Sequence, residues 1–134
     1  MEKFLLKLKD LGLKQTAPRR QILDVLFKSE IPLTINEIMN GCISVDFATV
    51  FRTVKLFLSH GLLQSTNFND KQIRYSLIKA DTHPHHILCK ECGKIEQLEV
   101  CIIDKVRKLT DYKIVDHSME FVGICPECKK WKSW

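Results

Sequence analysis

The chain has 134 residues, with 21 Lys and Arg against 16 Asp and Glu, a formal charge of +5. Apolar residues make up 45% and charged residues 28%, which excludes a disordered tail, and no apolar run approaches the roughly 18–20 residues that span a membrane. The opening stretch, MEKFLLKLKDLGLK, is interrupted by charge every two or three positions, which argues against a secretion signal and for a cytoplasmic protein.

In chain order, segment 18–28 predicts a helix. Pro18 is tolerated in a first turn, and Ile22, Val25 and Leu26 recur at i, i+3, i+4. Thr34 and Glu37 have capping-box spacing before Ile35, Ile38 and Met39, and Gly41 ends that short helix. Asp46 is placed to cap a third helix over 47–59, closed by His60-Gly61. Val50, Val54 and Phe57 form its inward face. Ala48, Phe51, Arg52 and Lys55 form a neighbouring face with cationic side chains. Segments 62–66 and 72–77, separated by the polar turn Asn67-Phe68-Asn69-Asp70-Lys71, predict a two-stranded hairpin. Three helices and a hairpin are the layout of a winged helix-turn-helix, which lays one helix in the DNA major groove. A basic helix face is usually just a solvated one, and short helices occur in many folds.

The composition changes after residue 75. Residues 1–75 carry a balance of +4 and residues 76–134 a balance of +1, while five of the six Cys and four of the five His lie in the second part. Cys89-Lys90-Glu91-Cys92 and Cys125-Pro126-Glu127-Cys128 are two C-x-x-C pairs with 32 residues between them. Each pair presents two thiolates to one ion from a tight turn, and together they complete a four-cysteine zinc site. Disulfides are disfavoured in the cytoplasm, and a redox-active C-x-x-C is the alternative. Cys42 and Cys101 have no partner at ligand spacing and read as small apolar side chains.

A second cluster, His83-Pro84-His85-His86, precedes the first pair. If a strand begins at 85, His85 and His86 face opposite ways. His117 lies in an alternating stretch, 113–122, and Asp104 in an expected helix over 100–109. Imidazoles with a carboxylate suit zinc, iron, manganese or nickel.

These residues resemble the ferric uptake regulator family of bacterial metal-responsive repressors, which also includes zinc-uptake and peroxide regulators. The resemblance is carried by Gly12-Leu13-Lys14-Gln15-Thr16-Ala17-Pro18-Arg19, by Phe47-Ala48-Thr49-Val50-Phe51-Arg52-Thr53-Val54, by residues 83–93, and by Asp116-His117-Ser118 leading to the second C-x-x-C, in the family's order across nearly the whole chain. It implies an α+β protein: a winged helix-turn-helix DNA-binding domain over 1–77, a hinge over 78–82, and a small α/β dimerisation domain over 83–134 with a four-cysteine zinc site. It implies a homodimer that binds a pseudo-palindromic double-stranded operator. By the same resemblance, Lys14 enters the minor groove and Arg19 contacts phosphate. Phe51 stands where the family has Tyr, Arg52 follows it, and Thr49 and Lys55 complete the DNA-contacting set. Cys89, Cys92, Cys125 and Cys128 match structural zinc ligands. His83, His85, Asp104 and His117 match a second, regulatory site for zinc, iron or manganese. The hinge metal site departs from the family pattern: Leu33, Pro84 and Gln97 stand at ligand positions, and only His86 remains.

The expected function is metal-dependent transcriptional repression of metal-uptake or metal-homeostasis genes. No enzymatic activity, membrane partner or small-molecule substrate beyond metal ions is expected. The alternatives are a zinc-locked or metal-independent regulator of the same family, and a zinc-ribbon interaction module without DNA binding. A hydrolytic metalloenzyme is disfavoured because no motif such as H-E-x-x-H is present.

Overall fold

The computed structural model describes residues 1–79 and 84–131. The chain forms two compact units, the first ending at Ile78 and the second beginning at Lys79.

The first unit runs α1 (Glu2–Asp10), α2 (Ala17–Lys28), α3 (Ile35–Asn40), α4 (Phe47–Ser59), β1 (Leu63–Asn67) and β2 (Ile73–Leu77). Helix α1 was not among the elements expected from the sequence. It forms because Phe4 and Leu8 recur at i, i+4 and are both buried. The three expected helices start at side-chain caps. Thr16 Oγ1 accepts the Arg19 N–H, Asp46 Oδ1 accepts the Thr49 N–H at 2.9 Å, and Thr34 and Glu37 close a reciprocal capping box.

Gly41 ends α3 for a packing reason rather than a conformational one. Its φ is −83°, and a Cβ there would meet Val25 Cγ2 at 2.9 Å. Gly61 is the opposite case: φ is +74°, and the turn it permits returns the Leu62 N–H to the Phe57 carbonyl at 2.9 Å. Strands β1 and β2 pair antiparallel with Leu63 opposite Leu77, shifted by one residue at three of the four strand ends from the expected hairpin. Leu33 adds a bridge to the wing, exchanging backbone hydrogen bonds with Tyr75 at 2.9 and 2.7 Å. The core is Leu8, Ile22, Leu23, Ile38, Val50, Val54 and Phe57, all wholly buried.

The second unit contains β3 (His85–Cys89), β4 (Ile95–Leu98), α5 (Ile103–Arg107), β5 (Glu120–Gly123) and α6 (Pro126–Trp131). Its sheet has the order β4-β3-β5. β3 pairs antiparallel with β4 and parallel with β5. Helix α5 is shorter than the expected 100–109 segment, since it lacks a side-chain cap and buries no residue. Only the end of the alternating 113–122 stretch becomes strand, where it meets β3. The fold is a winged helix-turn-helix followed by a small α/β unit.

Candidate metal centres and nucleic-acid interface

The sulfur atoms of Cys89, Cys92, Cys125 and Cys128 all lie within 4.8 Å of one another. Cys89 ends β3, and Cys92 sits in the turn that Gly93 closes with φ +78° and an N–H bond to the Cys89 carbonyl at 2.9 Å. Cys125 precedes α6 and Cys128 lies on it. Cys92 Sγ and Cys125 Sγ are 3.8 Å apart. That is too long for a disulfide, and it matches the edge of about 3.8 Å expected for a tetrahedron with zinc–sulfur bonds of about 2.3 Å.

The backbone already prepares these sulfurs. N–H groups of Cys125 and Cys92 point at Cys89 and draw its thiol down to about 6. The hydrogen bond shared with the Cys125 thiol, followed by burial, pushes Cys128 up to about 12. Four thiols packed this closely cannot all ionise without a cation among them, and the donor set fits zinc.

A second group joins His85, Cys101 and His117, each offering a donor atom within 4.8 Å of the others. His85 is buried on β3, and its Nδ1 lies 2.9 Å from the Met119 carbonyl. Cys101 Sγ lies 3.5 Å from His117 Nε2, and the two imidazoles stand 5.5 Å apart between centroids at 54°. Asp116 Oδ1 accepts the His117 N–H at 2.8 Å, steadying that segment. His85 and Cys89 share one face of β3 four residues apart, so the two groups are separated by about 13 Å of strand.

On α4, Val50, Thr53, Val54 and Phe57 are buried, leaving Thr49, Phe51, Arg52 and Lys55 outward. Phe51 stacks on Phe47 at 6.3 Å, and both rings are exposed. Arg52 reaches Thr49 Oγ1 at 3.5 Å, and the Lys55 ammonium lies 5.3 Å above the Phe51 ring. A surface groove between α4 and the start of α2 is lined by Thr16, Arg19, Thr49 and Arg52. Arg19 Nη1 donates to the Lys14 carbonyl at 2.9 Å, tying the exposed Lys14 to the same groove edge. A row of cations and aromatic rings beside helix N-termini can bind phosphate and base edges.

A sequence model described as the Ferric uptake regulator family matches residues 10–122. The chain belongs to the ferric uptake regulator family. It is 34% identical over 140 residues to the ferric uptake regulation protein of Neisseria gonorrhoeae, covering 96% of each chain. It is 30% identical over 139 residues to the peroxide-responsive repressor PerR of Staphylococcus aureus, covering 96% of this chain and 91% of that one. Among solved structures, the Helicobacter pylori ferric uptake regulator Fur, described with three functional metal-binding sites, superposes with a TM-score of 0.78 at 25% identity, over 96% of this chain and 90% of that one. The Vibrio cholerae ferric uptake regulator superposes with a TM-score of 0.77 at 27% identity, over 90% and 98%. A zinc-bound manganese uptake regulator superposes with a TM-score of 0.71 at 25% identity, over 87% and 94%.

Within this Fur-family chain, the second donor group differs from the expected set in its membership. His85 and His117 come together. Asp104 does not join them: its side chain is 86% exposed and it lies 3.5 Å from Arg107, one helical turn away. The third donor is Cys101, expected as a small apolar side chain but exposed and beside His117. Sequence spacing held no signal for it, because its approach depends on how the 99–117 segment returns to β3. His83 lies outside the described residues. His86 is buried on the face of β3 opposite His85, level with Gln97 on β4 and Glu120 on β5, and takes no part in the group. Cys42 is half-buried against the N-terminal core, where burial raises its thiol.

Proposed function

We propose that this chain is a metal-dependent, DNA-binding transcriptional repressor that works as a homodimer in the cytoplasm, its domains spanning 1–77 and 83–134 about a hinge at 78–82. The observation that carries the proposal is the presence in one chain of an outward cationic–aromatic face on α4 and two groups of metal donors on β3 and its neighbours. Lys14, Arg19, Thr49, Phe51, Arg52 and Lys55 contact the operator. Arg52 and Phe51 face base edges, with the Phe51 ring suited to a thymine methyl, while Arg19 meets phosphate and Lys14 the minor groove.

Cys89, Cys92, Cys125 and Cys128 hold a structural zinc. His85 and His117, with His83 and Asp104 as further candidates, belong to a regulatory site. His85 on β3 and His117 would hold a divalent ion there, which would link β3 to the segment carrying His117. His85 orients that site through Met119, and the 78–86 segment carries the effect toward the DNA-binding domain. Coupling of this kind is typically worth about 1–3 kcal/mol, or about 5- to 150-fold in operator affinity. A second copy is supported by the apolar surface of the second unit, where Leu109, Tyr112 and Val115 are 83–86% exposed and Phe121 and Val122 stand on the edge strand β5.

A zinc-locked or metal-independent regulator is the second reading, favoured by Leu33. At the position where the resemblance expects a hinge ligand, its side chain packs on the core and its backbone bridges to Tyr75. Operator affinity measured across a zinc or manganese titration, in wild type and His117→Ala, separates the two. A rise in affinity lost in His117→Ala supports the sensor. Tight binding indifferent to metal in both supports the locked regulator. Absence of sequence-specific binding would leave only a zinc-ribbon interaction module.

A further inference from the structure

We propose that Cys101 is a ligand of the second metal site, making it a thiolate–bis-imidazole centre that selects zinc over manganese and ferrous iron. The inference deepens the second-site reading and rests on it. Three observations carry it. Cys101 Sγ lies 3.5 Å from His117 Nε2. One donor atom each from His85, Cys101 and His117 falls within 4.8 Å of the others, close enough for one ion to reach all three. Asp104, the carboxylate expected at this site, is turned to Arg107 and 86% exposed.

The imidazole is oriented for the task. When His85 donates from Nδ1 to the Met119 carbonyl at 2.9 Å, its lone pair lies on Nε2, the arrangement by which a hydrogen bond behind a ligating histidine sets tautomer and ring direction. Cys101 is exposed, so a metal ion reaches it from solvent. On binding, the Cys101 S–H bond breaks, the sulfur–metal bond forms, and the proton leaves to solvent. Two imidazoles and one thiolate are three protein donors, with a further position for water or another side chain. A thiolate among the donors shifts preference toward zinc, whereas oxygen donors suit manganese.

The test uses the full-length protein with its four-cysteine zinc retained, exchangeable metal being removed by a weak chelator. Iodoacetamide labelling, followed peptide by peptide by mass spectrometry, reads Cys101 separately, with Cys42 as an internal reference. One added equivalent of zinc is expected to slow Cys101 labelling by at least about tenfold in wild type and not in His117→Ala. Cys101→Ser, an exposed and conservative change checked by circular dichroism and zinc content, is expected to lower zinc affinity at this site by about 10- to 100-fold while leaving manganese affinity within about threefold. Binding of the second equivalent through His117 while Cys101 still labels at the unprotected rate would overturn the role of Cys101 and leave the second site standing. Failure of a second equivalent to bind at all would overturn both.

Discussion

In the unit ending at Ile78, seven large side chains from four helices, Leu8 to Phe57, are wholly buried. In the unit beginning at Lys79, the buried side chains among the described residues are His85, His86, Leu88 and Cys89, all on β3. The first unit closes on carbon. The second has almost no apolar interior and brings seven metal-donor side chains together instead. Burying one Leu or Phe stabilises by about 1.5–3 kcal/mol, while a structural zinc site in a small domain contributes about 10–16 kcal/mol. One ion can therefore replace several core residues.

The largest effect should come from breaking the sulfur site. Cys92→Ser or Cys125→Ser is expected to lose about one zinc per chain and to collapse amide-exchange protection in β3–β5, while α2–α4 stay protected. Cys42→Ser should keep its zinc. Loss of protection in both units, or in neither, would break the contrast between them. Next comes the carbon side: Phe57→Ala should cost about 3–5 kcal/mol in the unfolding of the first unit with zinc content unchanged, measured by denaturant titration beside elemental analysis.

A smaller effect, on binding rather than folding, is expected at the outward face of α4. Arg52→Ala should weaken operator binding by about 1–3 kcal/mol with little change in melting temperature. An Arg52→Ala protein that binds normally would show that this face is only solvated. The smallest effect is at the cap of α4. Hydrogen bonds from the Thr49 side chain and backbone hold the Asp46 carboxyl below its ordinary value. A lowered folded value means stability that is present above the ordinary carboxylate pKa of about 3.9 and lost as pH falls through the folded one. Asp46→Ala should therefore melt a few degrees below wild type from pH 5 to 8, with the gap closing below about pH 4. A gap constant down to pH 2 would assign the cap no ionic part.

Much of the first unit was legible because its signals are local. Thr34 and Asp46 each cap a helix within three residues, and a cap next to 3.6-residue periodicity specifies a helix whatever surrounds it; the Thr16 cap of α2 was not read from the sequence. Helix α1 was not legible because Phe4 and Leu8 lie among charges spaced every two or three positions, which hide their i, i+4 repeat. The four cysteines were legible because two C-x-x-C turns present sulfurs at a fixed spacing.

The sequence by itself thus determined the caps, the helices they start, the hairpin, the thiolate pairs and the opposite facing of His85 and His86, since each depends on neighbours a few residues away. The tertiary structure decided the rest. Parallel pairing of β3 with β5 sets Met119, 34 residues along the chain, against His85. The return of the 99–117 segment brings Cys101 to His117 across 16 residues. Five-residue α5 turns Asp104 to Arg107 instead. None of these contacts has a sequence period, because strand pairing and loop closure, not chain spacing, choose which distant donor reaches an ion.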